Sequence, residues 1–580
     1  MFAVRHAASY RPLARITRLH GSCCTDSLTP TSMSRAIAVA LVFSASLSAC
    51  ARSAPTAAPR PSPGGQPTQP VVQPPVTVTP APAPTAAADS ARADWHRLDA
   101  EMDGVIGVGS ERALRELLAG RAPQRSVVVA VIDGGVDTLH RYLAPTLWKN
   151  TREVAGNGRD DDNNGFVDDV FGWNFSVTAN GESVHHDTFE VTRLYAACGG
   201  QPAGAGIAKP GAARCDSVRT AYREQAEKVT STLTQIRNID RTLAQVNDIL
   251  GKAITGGALT RARVQAFTPT NAMQEQARGI WLQLADNGLD AAAIVEAKEA
   301  YESQAKYGLD TLFAPHATTP TAGLRDITGP DAKHGTHVAG IIGAARGAGN
   351  PVQGIAPNVR LMGVRAVPDG DERDPDIARA VRYAVDNGAQ IINMSFGKAW
   401  SPQKASVDSA MRYAASKGVL LVHAAGNDAE NNDVSPSFPT AVTVEGARVD
   451  TWIEVGASSW KGKDKLAASF SNYGKSRVDL FAPGEDILST IPGGGIKRES
   501  GTSMAAPVVS GVAALLMAYF PNLSATQVKE ILLQSVRKFP NQMVEKPGGE
   551  GQRVAFDALS STGGIVDAYA AVKLALQRIQ

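Results

Sequence analysis

A chain of 580 residues is longer than one average domain, and its 58 Lys and Arg against 56 Asp and Glu leave a formal charge of only +2. That balance gives no basic excess of the kind that holds nucleic acid, so no nucleic-acid partner is expected. The body of the chain also has no apolar run long enough to span a bilayer.

Residues 1–49 read as a signal region. Met33 to Cys50 carries one positive charge, a short apolar core and then small residues, the plan of a secretory signal. Residues 1–32, Arg- and Ser-rich with Cys23 and Cys24, are expected to lie upstream of the true start at Met33. Leu47-Ser-Ala-Cys50 resembles the bacterial lipoprotein box. The resemblance implies a lipid-modified Cys50 anchored in a bacterial cell-envelope membrane, on the periplasmic side or at the cell surface, with plain secretion as the alternative. That anchor is the only membrane contact expected. Residues 50–90 are almost entirely Pro, Ala, Thr, Val, Gln and Ser, bury too little to fold, and are expected to form a disordered tether. A short helical segment is expected over 91–120.

Residues 121–580 read as one α/β domain interrupted by a largely helical insertion over 176–330. Val127 to Asp133 is an apolar strand ending on a carboxylate and a Gly-Gly turn. Alone, such an Asp-Gly is usually just a turn. Farther on, Asp160, Asp162, Asn164 and Asp168 place oxygens around a turn at Gly165, the opening of an EF-hand-type loop, but Phe171 stands where that loop needs Glu. Structural calcium and a hydrogen-bonded Asp/Asn turn both remain open. The adjacent His185 and His186 cannot face one another on a strand or helix, so a solvated loop is expected in preference to a metal site or base. In an exported protein Cys198 and Cys215 are expected to form a disulfide, worth about 3 kcal/mol in the chain-entropy model. Val218, Tyr222, Val229, Leu233, Ile236, Leu243, Val246 and Leu250 recur at helical spacing, which predicts a helix from Ser217 to Gly251. One helical partner between Thr268 and Tyr307 would complete an antiparallel hairpin.

Past the insertion, apolar strands around Leu361, Ile391, Leu420 and Val455 join the one at Val128 and alternate with helical stretches around Val338, Ile377, Val407 and Ala506. That alternation predicts a parallel sheet covered by helices on both faces. Four motifs lie in this half: His334-Gly-Thr-His-Val-Ala-Gly340, Ile391-Ile-Asn-Met-Ser-Phe-Gly397, Leu420-Leu-Val-His-Ala-Ala-Gly-Asn427 and Glu499-Ser-Gly-Thr-Ser503-Met-Ala-Ala-Pro507. The order Asp133, His334, Ser503 with these flanks resembles the subtilisin-like serine proteases, or subtilases. The likeness covers about Val127 to Phe175 and about Gly335 to the C-terminus.

The resemblance implies a subtilisin-like fold and a serine endopeptidase with no cofactor needed for its chemistry. Ser503 would be the nucleophile, His334 the general base and acid, and Asp133 the group that orients the ring and stabilises the imidazolium. Asn427 would donate to the oxyanion beside the Ser503 N–H; losing one such donor costs on the order of 100- to 1000-fold in turnover. Ser395, Phe396 and Gly397 would form one wall of the first specificity pocket, and Ala424, Ala425 and Gly426 the other. Broad cleavage of proteins or peptides by a monomer is expected. The family's usual inhibitory prodomain has no room between the tether and the first strand. His337 is expected as a structural helix residue, and His423 as packing or pocket lining. The alternative function is a non-catalytic binding protein on the same fold, acting through its helical insertion. A lipase is less well matched, because Gly-x-Ser-x-Gly does not surround Ser503.

Overall fold

The computed structural model describes residues 91–199, 207, 209–316, 323–549 and 551–578. The signal, Cys50 and the tether lie outside them. The strands are β1 (Val127–Asp133), β2 (Gly172–Asn174), β3 (Val359–Arg365), β4 (Ile391–Met394), β5 (Leu420–Ala424), β6 (Trp452–Ser458), β7 (Leu480–Pro483), β8 (Ile487–Ile491), β9 (Gly495–Glu499), β10 (Arg537–Lys538), β11 (Met543–Glu545), β12 (Arg553–Ala555) and β13 (Gly564–Ile565). The main helices are α1 (Glu190–Cys198), α2 (Ala212–Ala253), α3 (Ala272–Asp286), α4 (Ala291–Ser303), α5 (Lys333–Gly343), α6 (Asp374–Asp386), α7 (Lys404–Ser416), α8 (Thr502–Tyr519), α9 (Ala525–Gln534) and α10 (Ala568–Arg578).

Nine strands form one sheet in the order β10-β13-β7-β6-β5-β4-β1-β3-β2, parallel throughout except for the β10–β13 pair. The side-chain period of two explains its two faces. Val127, Val129 and Val131 of β1 share a core with α5, α8, α9 and α10, while Ala130 and Ile132 share one with α6 and α7. β5 splits likewise, with Leu420, Val422 and Ala424 on the first face and Leu421 on the second. Each fully buried aliphatic side chain contributes roughly 1.5–3 kcal/mol, which is why the strands are apolar on both faces. Among the described residues only α8 is long and apolar enough to cross a membrane, and 89% of it is buried inside the fold. It is a core helix. The structure is the mixed α/β, mostly parallel architecture that the sequence alternation predicts.

The insertion departs from the expected hairpin. α2 begins at Ala212 and passes through Gly251 to Ala253. Gly251 costs about 1 kcal/mol in a helix, and Leu250 beside it is fully buried, so packing carries the helix past it. The partner is two helices, α3 and α4. The break falls at Asp286-Asn-Gly288, where Gly288 takes φ +71° and Asp290 then caps α4 by accepting from Ala293 N–H. Ile236, Ile239, Leu243, Val246 and Leu250 of α2 meet Ala277, Ile280 and Leu284 of α3 and Ile294 and Ala297 of α4 in a core of their own. Cys198 and Cys215 are joined in a disulfide between α1 and α2.

Candidate active site

Asp133 closes β1, Ser395 follows β4 and Asn427 follows β5, so three of the motifs emerge at the carboxyl end of adjacent strands, where open α/β sheets bind ligands. His334 and Ser503 each sit second in their helix, α5 and α8. Asp133 is 2% exposed and its carboxylate contacts His334 Nδ1 at 2.8 and 3.0 Å. A glycine must follow the histidine: a Cβ at Gly335 would stand 2.2 Å from the Gly135 carbonyl and 2.9 Å from Asp133 Cβ. His334 has a pKa above the ordinary imidazole value. Burial pulls it down, but the charge and hydrogen bond of Asp133, with Asp331 and Glu499 behind it, pull it up by more.

The backbone of Ser503 is pinned by its surroundings. Pro507 has no N–H, so the Ser503 carbonyl loses its helical donor four residues on. The Ser395 hydroxyl donates to that carbonyl at 2.9 Å instead. Behind it, Asn393 Nδ2 donates to Ser395 Oγ at 2.9 Å and Ser510 Oγ donates to Asn393 Oδ1 at 2.8 Å, a buried chain from mid-helix to the site. The Ser503 hydroxyl itself donates to the Ser395 carbonyl at 3.1 Å. No hydrogen bond links it to His334 among the described contacts; such contacts often tighten only with substrate present.

Asn427 is equally constrained. Its Oδ1 accepts from the Thr502 N–H at 2.8 Å and the Thr502 hydroxyl at 3.0 Å, and the same hydroxyl accepts from the Gly426 N–H at 3.1 Å. With the carbonyl side of the amide engaged, Nδ2 is left as a donor. The Ser503 N–H, in the first turn of α8, has no intrahelical acceptor, and the helix dipole there favours negative charge. Gly426 takes φ +110°, and a Cβ on it would meet Asn472 Nδ2 at 2.5 Å.

Ser395, Phe396 and Gly397 lie after β4 and Ala424, Ala425 and Gly426 at the end of β5, on neighbouring strands. Beside the Gly397 wall the sequence missed Ser437, whose Oγ would be 2.5 Å from a Cβ on Gly397, and on β6 it missed Glu454, which holds the buried His423 through Nδ1 at 3.0 Å. His423 Nε2 has no hydrogen-bond partner among the described residues and is 3.7 Å from the same Cβ position. His337 is buried, with Nε2 3.0 Å from the Lys497 carbonyl, and burial pushes its pKa down to about 4. His185 and His186 lie in a loop as expected, His185 exposed and His186 half-buried. Off any strand or helix the two rings stack at 3.8 Å, and His186 also stacks on Tyr307 and contacts Asp369 through Nδ1 at 2.9 Å.

The acidic loop differs in detail. Asp168 is spent on the backbone, accepting from the N–H groups of Gly156, Asn157 and Gly158 and pairing with Arg325 at 2.7 Å. Asn164 braces the loop, its Nδ2 donating to Asp162 and Asp169. The carboxylates that converge are Glu153, Asp160 and Asp162, each offering an oxygen within 4.8 Å of the others. Such a set of hard oxygens fits calcium. Glu153 lies upstream of the motif and could not be found from its spacing.

A Subtilase family profile matches residues 124–551. The chain belongs to the subtilase family. This subtilase is 38% identical over 233 residues to the thermophilic serine proteinase of Bacillus sp. (strain AK1), covering 40% of this chain and 52% of that protein. It is 37% identical over 221 residues to the cell wall-associated protease of Bacillus subtilis (strain 168), covering 38% of this chain and 23% of that one. The match to the solved structure of prenylagaramide maturation protease PagA has a TM-score of 0.35 and 32% identity, covering 42% of this chain and 83% of that one. The subtilase thus spans about half the length of the first of these relatives and under a quarter of the second.

Proposed function

We propose that this subtilase is a serine endopeptidase that hydrolyses peptide bonds of proteins through an acyl-enzyme. The observation that carries the reading is the buried Asp133 carboxylate seated on His334 Nδ1, which fixes the ring with Nε2 as the nitrogen free to act. Ser503 Oγ attacks the scissile carbonyl while Nε2 takes its proton. The oxyanion is met by Asn427 Nδ2 and the Ser503 N–H. The C–N bond then breaks, the leaving amine takes the proton from Nε2, and a water repeats the sequence to release the acid. Backbone pairing along Ser395 to Gly397 supports broad cleavage, because main-chain groups accept any sequence.

Two finer assignments belong with this reading. Cys50 is the lipid anchor of an exported enzyme, supported by Leu47-Ser-Ala-Cys50 and the tether-like composition after it. Glu153, Asp160 and Asp162 hold a structural calcium, supported by their convergence. An ion bound only to the folded state at 100 times its dissociation constant adds about 2.7 kcal/mol, so chelation is expected to lower Tm and Glu153→Gln to abolish that response. An unchanged Tm on chelation removes the assignment.

Fluorophosphonate labelling tests the main reading. Labelling of the intact protein that is absent from Ser503→Ala is expected; failure to label under any condition, with no peptide cleavage, would leave a binding protein on a subtilase fold.

A further inference from the structure

Two elements of the insertion touch the rim of the catalytic cleft, both through charge. Lys228 of α2 pairs at 3.0 Å with Asp428, the residue after Asn427. Glu296 of α4 is bound through one carboxylate oxygen to Lys333, the residue before His334, and through the other to Lys497 of β9. Glu499 stands 3.0 Å from Lys333 and 3.1 Å from Lys497. Two ammonium groups and two carboxylates therefore form one cluster beside the proposed general base. Glu499 belongs to the hairpin that leads into Ser503, whereas Glu296 comes from a helix with its own core. Without Glu296 the peptidase half keeps two cations and one anion.

The cluster is open to exchange. The side chains of Lys333, Lys497, Glu296 and Glu499 are 36%, 37%, 44% and 27% exposed. Ion pairs at that exposure hold their partners weakly, and another carboxylate can replace one of them at little cost. Position identifies the incoming carboxylate. In the endopeptidase reading acyl-side residues of a substrate run along Ser395 to Gly397, and Lys333 adjoins His334, which there protonates the leaving amine.

Resting on the endopeptidase reading, we propose that Lys333 and Lys497 form a subsite for an acidic side chain just after the scissile bond, and that Glu296 occupies it as an internal stand-in. Substrates with Asp or Glu there displace Glu296, and the insertion competes with them for the cleft.

Peptide pairs identical except for Glu or Gln at the first or second residue after the cleaved bond test this. They would be assayed with wild type, Glu296→Gln and Lys497→Gln, active sites being counted by fluorophosphonate labelling. Wild type is expected to favour the Glu peptide through KM by about 3- to 5-fold, the size of a partly exposed ion pair. Glu296→Gln should widen that ratio by lowering KM for the Glu peptide, and Lys497→Gln should bring it towards one; high salt should do the same to wild type. Labelled enzyme with equal KM for both peptides in wild type and in Glu296→Gln overturns the subsite and leaves the endopeptidase intact. Neither labelling nor cleavage overturns the endopeptidase reading, and the subsite falls with it. If Lys497→Gln does not fold, the partly exposed Glu296→Gln still decides the matter.

Discussion

Pro507 ties Ser503, the proposed nucleophile, to Ser395 of the proposed substrate wall through a missing hydrogen bond: because it cannot donate to the Ser503 carbonyl, the Ser395 hydroxyl does so at 2.9 Å. Ser395→Ala removes that donor from a partly buried carbonyl. Such an orphan costs about 1–3 kcal/mol, so urea unfolding should show a loss of that size together with a lower kcat; an unchanged midpoint would mean that Ser503 is positioned by α8 alone. The base supplies a second prediction. Only neutral His334 accepts the serine proton, and its pKa lies above the ordinary value of about 6.5. The rate must therefore fall as pH falls through that raised pKa, and the acid limb of kcat/KM should lie above the position of a free imidazole. Asp133→Asn, by removing the charge, should move the limb down as well as slow the reaction. A wild-type limb at or below the ordinary value would contradict the geometry. At this scale the sequence shows the residues proposed to do chemistry, because each sits in a local motif. It does not show Asn393, Ser510 or the Thr502 relay to Asn427, whose roles arise from contacts between distant segments.

Among elements, the junction of α1, β4 and α6 rests on buried charge. Lys398, just past the Gly397 wall, lies 2.6 Å from Glu190 of α1 and 2.8 Å from Asp374 of α6, and donates to the Glu372 carbonyl at 2.7 Å. Burial opposes both charges of the Glu190–Lys398 pair. The surrounding opposite charges win, holding Glu190 down at about 2 and Lys398 above its ordinary range. Removing one partner from a buried pair costs about 3–5 kcal/mol. Lys398→Met should therefore lose stability on that scale in chemical unfolding, and a loss under 1 kcal/mol would show that water reaches the pair. The pH sign follows from Glu190. Its folded pKa is depressed, so its contribution is complete above the unfolded carboxylate value and is lost as pH falls from there towards about 2. The expectation of a single α2 partner fails for a local reason, since Asp286-Asn-Gly288 is a stop signal inside an otherwise apolar-periodic stretch. The strands are legible because both faces are buried, whereas their spatial order is set by crossovers that no single strand encodes.

For the molecule as a whole, the division into two cores matters more than the count of elements. The sheet layers and the α2–α3–α4 bundle bury separate sets of apolar side chains. The two sets are joined at the base of the bundle, where Cys198–Cys215 and Tyr222, donating to the Leu309 carbonyl at 2.9 Å, hold the start of α2. At the cleft they meet through the partly exposed Lys228–Asp428 pair and the Glu296 cluster. Exposed ion pairs contribute about 0–1 kcal/mol each and weaken with salt. A 42-residue helix extends roughly 60 Å, so the far end of α2 stands well away from the disulfide that anchors its start. Local opening free energy follows local burial; from Ile236 to Leu250 α2 is buried in the bundle core while Asp216 to Lys228 buries only Val218, so protection from hydrogen exchange should be higher in the far half of α2 than near its start, with β1, β4 and β5 protected throughout. Raising salt should loosen the bundle over the cleft without affecting the sheet. Exchange followed by mass spectrometry at increasing urea reads both effects. If bundle and sheet lose protection at one urea concentration, the two cores unfold as a single cooperative unit, and the contacts at the cleft are far stronger than exposed charge pairs allow.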